Sequence, residues 1–222
     1  MLLLETHTHT DIGSSCGHVP PADIPWRYKN AGYDAIVVTD HYYERTITRY
    51  NKSADAWLEG YRQTRDAGKD AGIKVFLGME IRFNNMGDDD FLVYGFDETF
   101  IKKNEKLYRL PLPEAFGLLD SYGFLIYQAH PFRDGITVRS PRFMHGIEVF
   151  NGKTRQENNN GLAEAYAKKH GLMEISGSDF HRHEDIGTGG IYIDKEIQTE
   201  KELAGYLKTH QVKLKKTART GI

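Results

Sequence analysis

The segment MLLLETHTHTDIGSSCGH (residues 1–18) joins a short apolar run to closely spaced histidines. His7 and His9 are two residues apart, and side chains at i and i+2 of a β-strand point to the same face. Two imidazoles on one face can bind a single metal ion when other ligands converge on them. The segment predicts a strand over residues 2–6 that leads into a metal site, and the rest of the chain must supply further ligands.

The composition is that of a folded globular protein. The chain has 222 residues, of which 39% are hydrophobic and 27% charged, and this length suits one domain over residues 1–222. The formal net charge of −2 argues against nonspecific nucleic-acid binding through a basic surface. We expect no signal peptide, no membrane span and a cytoplasmic location. Cys16 is the only cysteine, which excludes an intrachain disulfide.

Short apolar segments alternate with segments of helical periodicity along the chain. The predicted strands cover residues 2–6, 34–41, 73–81, 91–96, 124–130, 146–151, 172–179, 190–193 and 211–218. The predicted helices cover residues 21–32, 53–72 and 112–123, a segment from a Thr154–Glu157 capping box through His170, and a segment announced by Thr199 and Glu202. This alternation favours a mostly parallel α/β sheet covered by helices, open or barrel-like.

Histidine or acidic residues stand at the end of one predicted strand after another. They are His7 and His9, Asp40 and His41, Glu80, His130, Glu148, and Asp179 and His181. The carboxyl ends of the strands are where parallel α/β folds assemble their sites. Imidazole nitrogens with carboxylate oxygens suit zinc, iron or manganese better than calcium or magnesium. The sequence therefore predicts a transition-metal site at this end of the sheet.

Six short motifs, in order, are HTHT, TDH, GME, AHP, GIEVFN and SGSDFH. Together they resemble the PHP (polymerase and histidinol phosphatase) domain of metal-dependent phosphoesterases. The resemblance extends from His7 to His181, nearly the whole chain. It implies a distorted (β/α)7 barrel with two or three divalent metal ions, of zinc, manganese or iron, at the carboxyl ends of the strands.

The resemblance also implies which residues hold the first two ions. His7, His9, Glu80 and Asp179 would hold the first ion, and Asp179 counts among the catalytic residues. Glu80 would bridge to a second ion that His130 also binds. A carboxylate suits the bridging position because it offers two oxygens.

A third ion, in the same resemblance, would use His41 and His181 with a ligand from the loop after HTHT. His18 is our choice for that ligand, and Cys16 and Asp11 are the alternatives. Three neutral imidazoles add no negative charge to offset a further cation. We therefore expect this site to bind more weakly than the other two.

Several acidic residues have two open interpretations. Many relatives bring another histidine to the second ion near the FLVYG strand, where this chain has only Asp90 and Asp97. Asp90 could be a ligand, but a solvated turn is the interpretation that we favour. Glu148 could orient a ligand or a catalytic water, or could have only a structural role in its strand. Asp40 would end its strand or support His41.

The predicted function is hydrolysis of a small-molecule or nucleotide phosphate ester, a monoester or a diester, by a metal-activated hydroxide. His181 or His41 would protonate the leaving group if no metal binds it. Arg133, just after AHP, would bind the substrate phosphate. Lys153 and Arg155 lie at the same end of the sheet, and we interpret them as surface charge.

Three alternatives stay open at this point. They are histidinol phosphate phosphatase itself, a C–N hydrolase of the amidohydrolase kind, and a non-catalytic PHP module that only binds a partner. A degraded module would have lost ligands, whereas this sequence keeps the set from His7 to Asp179. The intact set favours an enzyme.

Overall fold

The computed structural model describes residues 1–49 and 53–217, and ten strands and seven α-helices alternate in this part of the chain. The strands are β1 (Leu2–Thr8), β2 (Ala35–Val38), β3 (His41–Tyr42), β4 (Lys74–Arg82), β5 (Asp90–Tyr94), β6 (Leu125–Gln128), β7 (Gly146–Asn151), β8 (Met173–Gly177), β9 (Gly189–Ile193) and β10 (Lys213–Lys216). The helices are α1 (Ile24–Asn30), α2 (Ala54–Trp57), α3 (Glu59–Ala71), α4 (Glu98–Lys103), α5 (Leu112–Ser121), α6 (Asn160–His170) and α7 (Glu200–Thr209). Within the described residues, no helix has the length and apolar character of a membrane span.

The strands form one mixed sheet in the order β10-β9-β1-β2-β4-β5-β6-β7-β8, with β3 paired to β4. β2 is parallel to β1 and β4, and β7 is parallel to β6 and β8. β5 is antiparallel to both of its neighbours, and β9 is antiparallel to β1 and β10. The predicted α/β barrel class is confirmed, with antiparallel strands inserted at two places.

The barrel closes because β1 changes its neighbour halfway along. Its first residues pair with β9, with Leu4 opposite Ile191. Further on, the amide of His9 donates to the Phe180 carbonyl oxygen at 2.9 Å, and the amide of Phe180 donates to the His7 carbonyl oxygen at 3.1 Å. Residues 179–181 therefore lie beside residues 7–9, although 170 positions separate them in the sequence.

Between these two pairings, the side chain of Glu5 closes the gap. This wholly buried carboxylate accepts hydrogen bonds from the amides of His7 at 3.1 Å and Ser178 at 2.9 Å. Gly177 allows the close approach, since a Cβ there would lie 2.5 Å from the His7 Cβ. We call this junction of β1 and the end of β8, at Glu5, His7, Gly177 and Ser178, the seam.

Side chains that alternate along each strand pack into two apolar layers. On β2, Ile36 and Val38 belong to the layer that includes Tyr28 of α1. Val37 belongs to the opposite layer, which includes Leu203 of α7. Burial of each such aliphatic side chain contributes about 1.5–3 kcal/mol to folding. The two layers hold the strand ends in fixed positions.

Two predicted helices have different bounds in the structure. The helix predicted over residues 53–72 is interrupted at Leu58, which separates α2 from α3. The capping box at Thr154 and Glu157 is wrong, because α6 begins only at Asn160. The side chain of Asn158 instead donates to the carbonyl oxygen of Lys153 at 2.9 Å and keeps this segment folded as a loop. The strand predicted over residues 211–218 is present as β10. Ala218, the last residue of the predicted range, lies outside the described residues.

Candidate metal centre

Four buried side chains from three strand ends converge at the carboxyl end of the barrel. The Nε2 atoms of His7 and His9 lie 3.1 Å apart. The His7 Nε2 is 3.4 Å from a Glu80 oxygen and 3.6 Å from Asp179 Oδ1, and the His9 Nε2 is 3.3 Å and 3.5 Å from the same two carboxylates. Donor atoms about 2.0–2.2 Å from one ion lie roughly 3–3.6 Å from each other. The four predicted ligands of the first ion are therefore brought together at ligand spacing.

The outer nitrogens of the two histidines have fixed partners. The His7 Nδ1 lies 2.9 Å from a Glu148 oxygen, and the His9 Nδ1 lies 3.0 Å from the Ser14 hydroxyl. That hydroxyl donates its own proton to Asp40 at 2.7 Å, so it accepts from His9. Both Nε2 atoms are left with lone pairs that face each other. Such an arrangement requires a proton or a metal ion between them, so the donor set fits a metal.

The electrostatics of the cluster keep the carboxylates ionised. Burial disfavours the charged imidazolium, yet Glu148, Glu80 and Asp179 raise the pKa of His7 well above its ordinary value. Burial would raise the pKa of Glu80, but the neighbouring histidines lower it well below the ordinary value. The pKa of Asp179 is also lowered despite burial, mainly by Lys153. In the metal-free protein, protons occupy positions that a metal ion would take.

Glu80 presents its two oxygens to two different histidines. Oε1 lies 2.9 Å from the His130 Nε2, and Oε2 lies 3.0 Å from the His41 Nδ1. Among the described residues, Glu80 Oε2, His41 Nδ1 and His130 Nδ1 are buried atoms without a hydrogen-bond partner. This spread is the geometry expected of a carboxylate that bridges two ions.

Two of the predicted ligands have strained backbones. His130 has a φ of 30° and Asp179 a φ of 52°, both in the left-handed region that side chains other than glycine rarely adopt. Each such residue costs about 1–3 kcal/mol, and strain of this kind clusters at functional sites. The amide of His130 is held in place by a hydrogen bond to Glu148 at 2.9 Å. Nothing in the sequence indicates this strain.

Arg133 lies at the site, but its guanidinium is bound by protein side chains. It donates to Asp179 Oδ2 at 2.7 Å, to Asn158 Oδ1 at 2.8 Å and to Asn151 Oδ1 at 3.1 Å. These contacts leave Asp179 Oδ1 directed toward His7 and make Arg133 a positioning residue. Its predicted contact with a substrate phosphate stays a prediction.

The loop after β1 brings Cys16, rather than His18, to the other histidines. The Cys16 Sγ lies 3.1 Å from the His181 Nε2. Burial would raise the pKa of this thiol, but hydrogen bonds with His181 and His41 lower it to about 4. The His18 side chain is exposed at the rim, as is Asp11. The assignment of His18 as a ligand stays a prediction that this geometry does not favour.

The structure shows the partners of these acidic residues, and Asp90 stays a possible ligand because its carboxylate lies at ligand spacing from His41 and Glu80. Asp90 is buried and is held by two hydrogen bonds from the Arg82 guanidinium, at 2.8 and 2.7 Å, so the solvated turn is wrong for this residue. Asp97 instead caps α4. Glu148 orients His7, and Asp40 acts through Ser14, whose hydroxyl accepts from the His41 amide at 2.9 Å.

Three supporting residues were missed at the sequence level, namely Ser14, Asn151 and Asn158. Each acts through another side chain rather than through a motif. Ser14 lies in the glycine-containing loop after HTHT, and Asn151 ends GIEVFN, so only these two stand next to a recognisable signal.

All the predicted ligands except His7 and His9 line a cavity of about 290 Å³ with many charged side chains in its wall. Its cations are Arg82, Arg133, Lys153, Arg155 and Arg182. Lys153 Nζ lies 3.3 Å from both Asp179 Oδ2 and the His181 Nδ1, and Arg182 is exposed. Arg155 is held by two hydrogen bonds to Asp185. The cavity thus combines a buried set of metal-type donors with cations near its mouth.

Comparison with known sequences gives partial matches to PHP proteins. A family model described as PHP-associated (PHP_C) matches residues 157–212. The PolC-type DNA polymerase III of Oceanobacillus iheyensis is 28% identical over 109 residues, which is 43% of this chain. The matched region is 7% of the polymerase, so this chain corresponds to a small part of that relative.

Solved structures give a match over nearly the whole chain. A two-domain protein of Bacteroides vulgatus, containing a predicted PHP-like metal-dependent phosphoesterase, superposes with a TM-score of 0.70 and 21% identity, over 97% of this chain and 65% of that one. PsfC of Pseudomonas syringae also has a TM-score of 0.70, with 20% identity over 98% of this chain and 92% of its own. The fold is therefore the distorted barrel of PHP-like proteins. With the six motifs, these matches confirm the resemblance to the PHP domain family.

Proposed function

We propose that this chain is a metal-dependent phosphoesterase. One observation carries the proposal, which is the buried cluster of His7, His9, Glu80 and Asp179 with its lone pairs turned inward, below a mouth that carries cations. A metal ion explains the inward lone pairs, and an anionic substrate explains the cations. The PHP fold supports the same class of activity.

The chain offers ligands for at least two ions. His7, His9, Glu80 and Asp179 would hold the first, and Glu80 with His130 would hold the second. When bound, such a pair of cations lowers the pKa of a water molecule and neutralises the phosphoryl oxygens during in-line attack. No nucleophilic side chain is required for this chemistry.

The remaining steps fall to side chains in the wall of the cavity. Lys153 and Arg182 line this cavity, and in this proposal they contact the phosphoryl oxygens. Arg133 keeps Asp179 oriented, since its guanidinium holds the outer oxygen of that carboxylate. His181 or His41 donates a proton to the leaving oxygen when its nitrogen is not bound to an ion. These residues position the phosphate and complete the proton transfer.

The size and charge of the cavity favour a small phosphate ester. A volume of about 290 Å³ is at the lower end for ligand pockets, which span roughly 300–1,000 Å³. A neutral amide or lactam offers no negative charge to the cations in the wall of the cavity, such as exposed Arg182. We therefore place phosphomonoesters and small or cyclic diesters before C–N substrates. A histidinol phosphate phosphatase would fall within the same class.

The test is a phosphate-release screen on chelator-stripped protein reconstituted separately with zinc, manganese and iron(II). Monoesters, cyclic diesters, dinucleotides, amides and lactams are assayed side by side, and bound metal is measured on the same samples. We expect hydrolysis of at least one phosphate ester that disappears on chelation and returns with metal. Metal-loaded protein that cleaves amides but no phosphate ester would contradict the proposal, and fully loaded protein without any hydrolysis would favour the binding module.

A further inference from the structure

Donor atoms meet at the side of the cavity formed by the loop after β1. The Cys16 Sγ is 3.1 Å from the His181 Nε2, and the thiol also hydrogen-bonds with the His41 imidazole. The His181 Nδ1 lies 2.8 Å from the carbonyl oxygen of Asp179. Since a carbonyl can only accept, Nδ1 carries a proton, and Nε2 is the nitrogen that faces the sulfur.

A buried carboxylate oxygen without a hydrogen-bond partner lies beside one of these histidines, His41. Glu80 is wholly buried, and its Oε2 lies 3.0 Å from the His41 Nδ1. Within the described part of the chain, neither atom has a hydrogen-bond partner. Among the described residues, ligand atoms of His9, His41 and His181 all lie within 4.8 Å of one another, and the sulfur beside His181 adds a thiolate donor of the kind that zinc-like ions favour. The cysteine is thus one member of a converging cluster.

The loop holds Cys16 in position through backbone contacts. The amide of His18 donates to the carbonyl oxygen of His181 at 2.9 Å. Gly17 packs so tightly that a Cβ there would lie 2.3 Å from the Thr10 carbonyl oxygen. Cys16 and His18 both line the cavity, but the Cys16 sulfur contacts His181, whereas the His18 side chain is exposed. Little reordering is needed for the sulfur to bind an ion.

We propose that the Cys16 sulfur, with His41 and His181, binds a third divalent ion of the borderline-soft class to which zinc belongs. Binding forms one metal–sulfur bond and releases to solvent the proton that the Cys16–His181 pair shares in the metal-free protein. The sulfur supplies the negative charge that a third imidazole lacks, so the site binds more tightly than the all-imidazole site expected from the sequence. The inference rests on the proposed metal-dependent function, because it uses the same cavity.

This assignment has a consequence for the reaction. An ion held by His41 and His181 removes the two imidazoles that otherwise donate the proton to the leaving group. Occupation of the third site and proton donation by His181 are therefore mutually exclusive. The competing interpretation is a metal-free thiolate–imidazolium pair between Cys16 and His181.

Cobalt(II) is the probe that separates the two interpretations. Sulfur-bound cobalt gives an intense near-ultraviolet charge-transfer absorption that nitrogen and oxygen ligands do not give. The full chain is stripped with a chelator and titrated with cobalt(II), with absorbance and bound metal followed together. Because Cys16 is the only cysteine, the absorption reports this residue alone. We expect the band to appear, and zinc to slow iodoacetamide alkylation of Cys16 at least about tenfold.

Two variants complete the test, with folding checked by circular dichroism. Cys16→Ser is expected to lose the band and about one bound ion while the other ions stay. His18→Ala, the matched change at the alternative donor, is expected to keep both the band and the protection. Cobalt-loaded wild-type protein without the band, or alkylation that metal does not slow, would overturn the inference in favour of the metal-free pair. Neither readout needs a substrate, so this failure would leave metal-dependent phosphate release intact.

Discussion

The two ends of the barrel differ in a way that cavity size does not reveal. At the end where β1, β2 and β4 begin lies a cavity of about 600 Å³, with Leu2, Ala35, Val75 and Ile193 in its wall. At the end where these strands stop, the cavity is only about 290 Å³, yet all the predicted ligands except His7 and His9 line it. The larger cavity offers more volume, whereas the smaller one is lined by residues that could bind metal.

The difference lies in buried charge and strained backbone. Ionised groups are costly to bury unless partners compensate for lost hydration. At the carboxyl end, Glu80 and Asp179 are nevertheless buried among imidazoles, and Asp179 and His130 have positive φ. At the amino end, the charged side chains are solvated, such as exposed Glu196. Buried charged groups, rather than cavity volume, therefore identify the functional end of the barrel.

Loss of the bridging carboxylate is expected to have the largest effect. Glu80→Gln keeps the shape but removes the charge that offsets two cations, so activity is expected to fall by about 10²–10³-fold. Bound metal is expected to decrease in the same samples. Phosphate release and elemental analysis on one preparation measure both.

The matched control for this change is Glu196→Gln, at the amino-end cavity. It removes the same charge at the other end of the barrel and is expected to leave metal content and turnover unchanged. Full metal content and turnover in Glu80→Gln would show that the bridging role is wrong.

Substitution of Arg133 is expected to have the second-largest effect, because this residue acts on the metal site through Asp179. Arg133→Ala removes the guanidinium that holds Asp179 Oδ2, and loss of such an outer partner typically costs 10–100-fold in metal affinity. Arg133→Lys keeps the charge without the planar fork and is expected to recover only part of the affinity. The metal affinity of each variant is measured by competition with a metal indicator.

Arg65→Ala, at the amino-end cavity, is the control and is expected to leave metal affinity at the wild-type value. A raised KM in Arg133→Ala with unaltered metal affinity would instead support the direct phosphate contact predicted from the sequence.

Loss of Lys153 is expected to have a smaller effect, mainly on substrate binding, because Asp179 keeps its contact with Arg133 when its contact with the lysine is lost. Lys153→Met removes a cation from the wall of the cavity, and we expect KM to rise about tenfold, the equivalent of about 1.4 kcal/mol, with kcat nearly unchanged. Lys74→Met changes the same residue type at the amino-end cavity and is expected to leave KM unaltered. An unchanged KM in Lys153→Met would contradict the substrate contact and leave Lys153 only as a partner of Asp179.

The pH dependence of stability gives the smallest effect and needs no variant. The pKa values of His7, His41 and His181 are raised despite burial, mainly by Glu148 at His7, by Glu80 at His41 and by Asp179 at His181. Their contribution to stability is complete below about pH 6.5 and is lost as pH rises through the raised values. The metal-free protein is therefore expected to show a falling Tm from about pH 6 to pH 9, and the metal-loaded protein a smaller fall or a rise. A Tm of the metal-free protein that does not change with pH would contradict this expectation.

The sequence predicted the elements that local patterns determine. Apolar runs located the strands, and the residues just after them located the converging ligands. The change of neighbour along β1 was not predictable, because it depends on residues 170 positions apart. The start of α6 was misjudged because Asn158 binds Arg133 and Lys153, and these tertiary contacts override the local capping signal. The choice between Cys16 and His18 likewise depends on how the loop packs.

The seam has a consequence for the motions of the molecule. At this junction a single carboxylate, Glu5, takes the place of a continuous ladder between β1 and the end of β8. His7 and Asp179 stand on its two sides, so the barrel cannot open there without separating two ligands of one ion. Retention of metal and closure of the barrel become one property. Hydrogen exchange at the amides of His7 and Ser178 would then slow together when metal is bound, and local breathing of the seam would limit how fast an ion escapes.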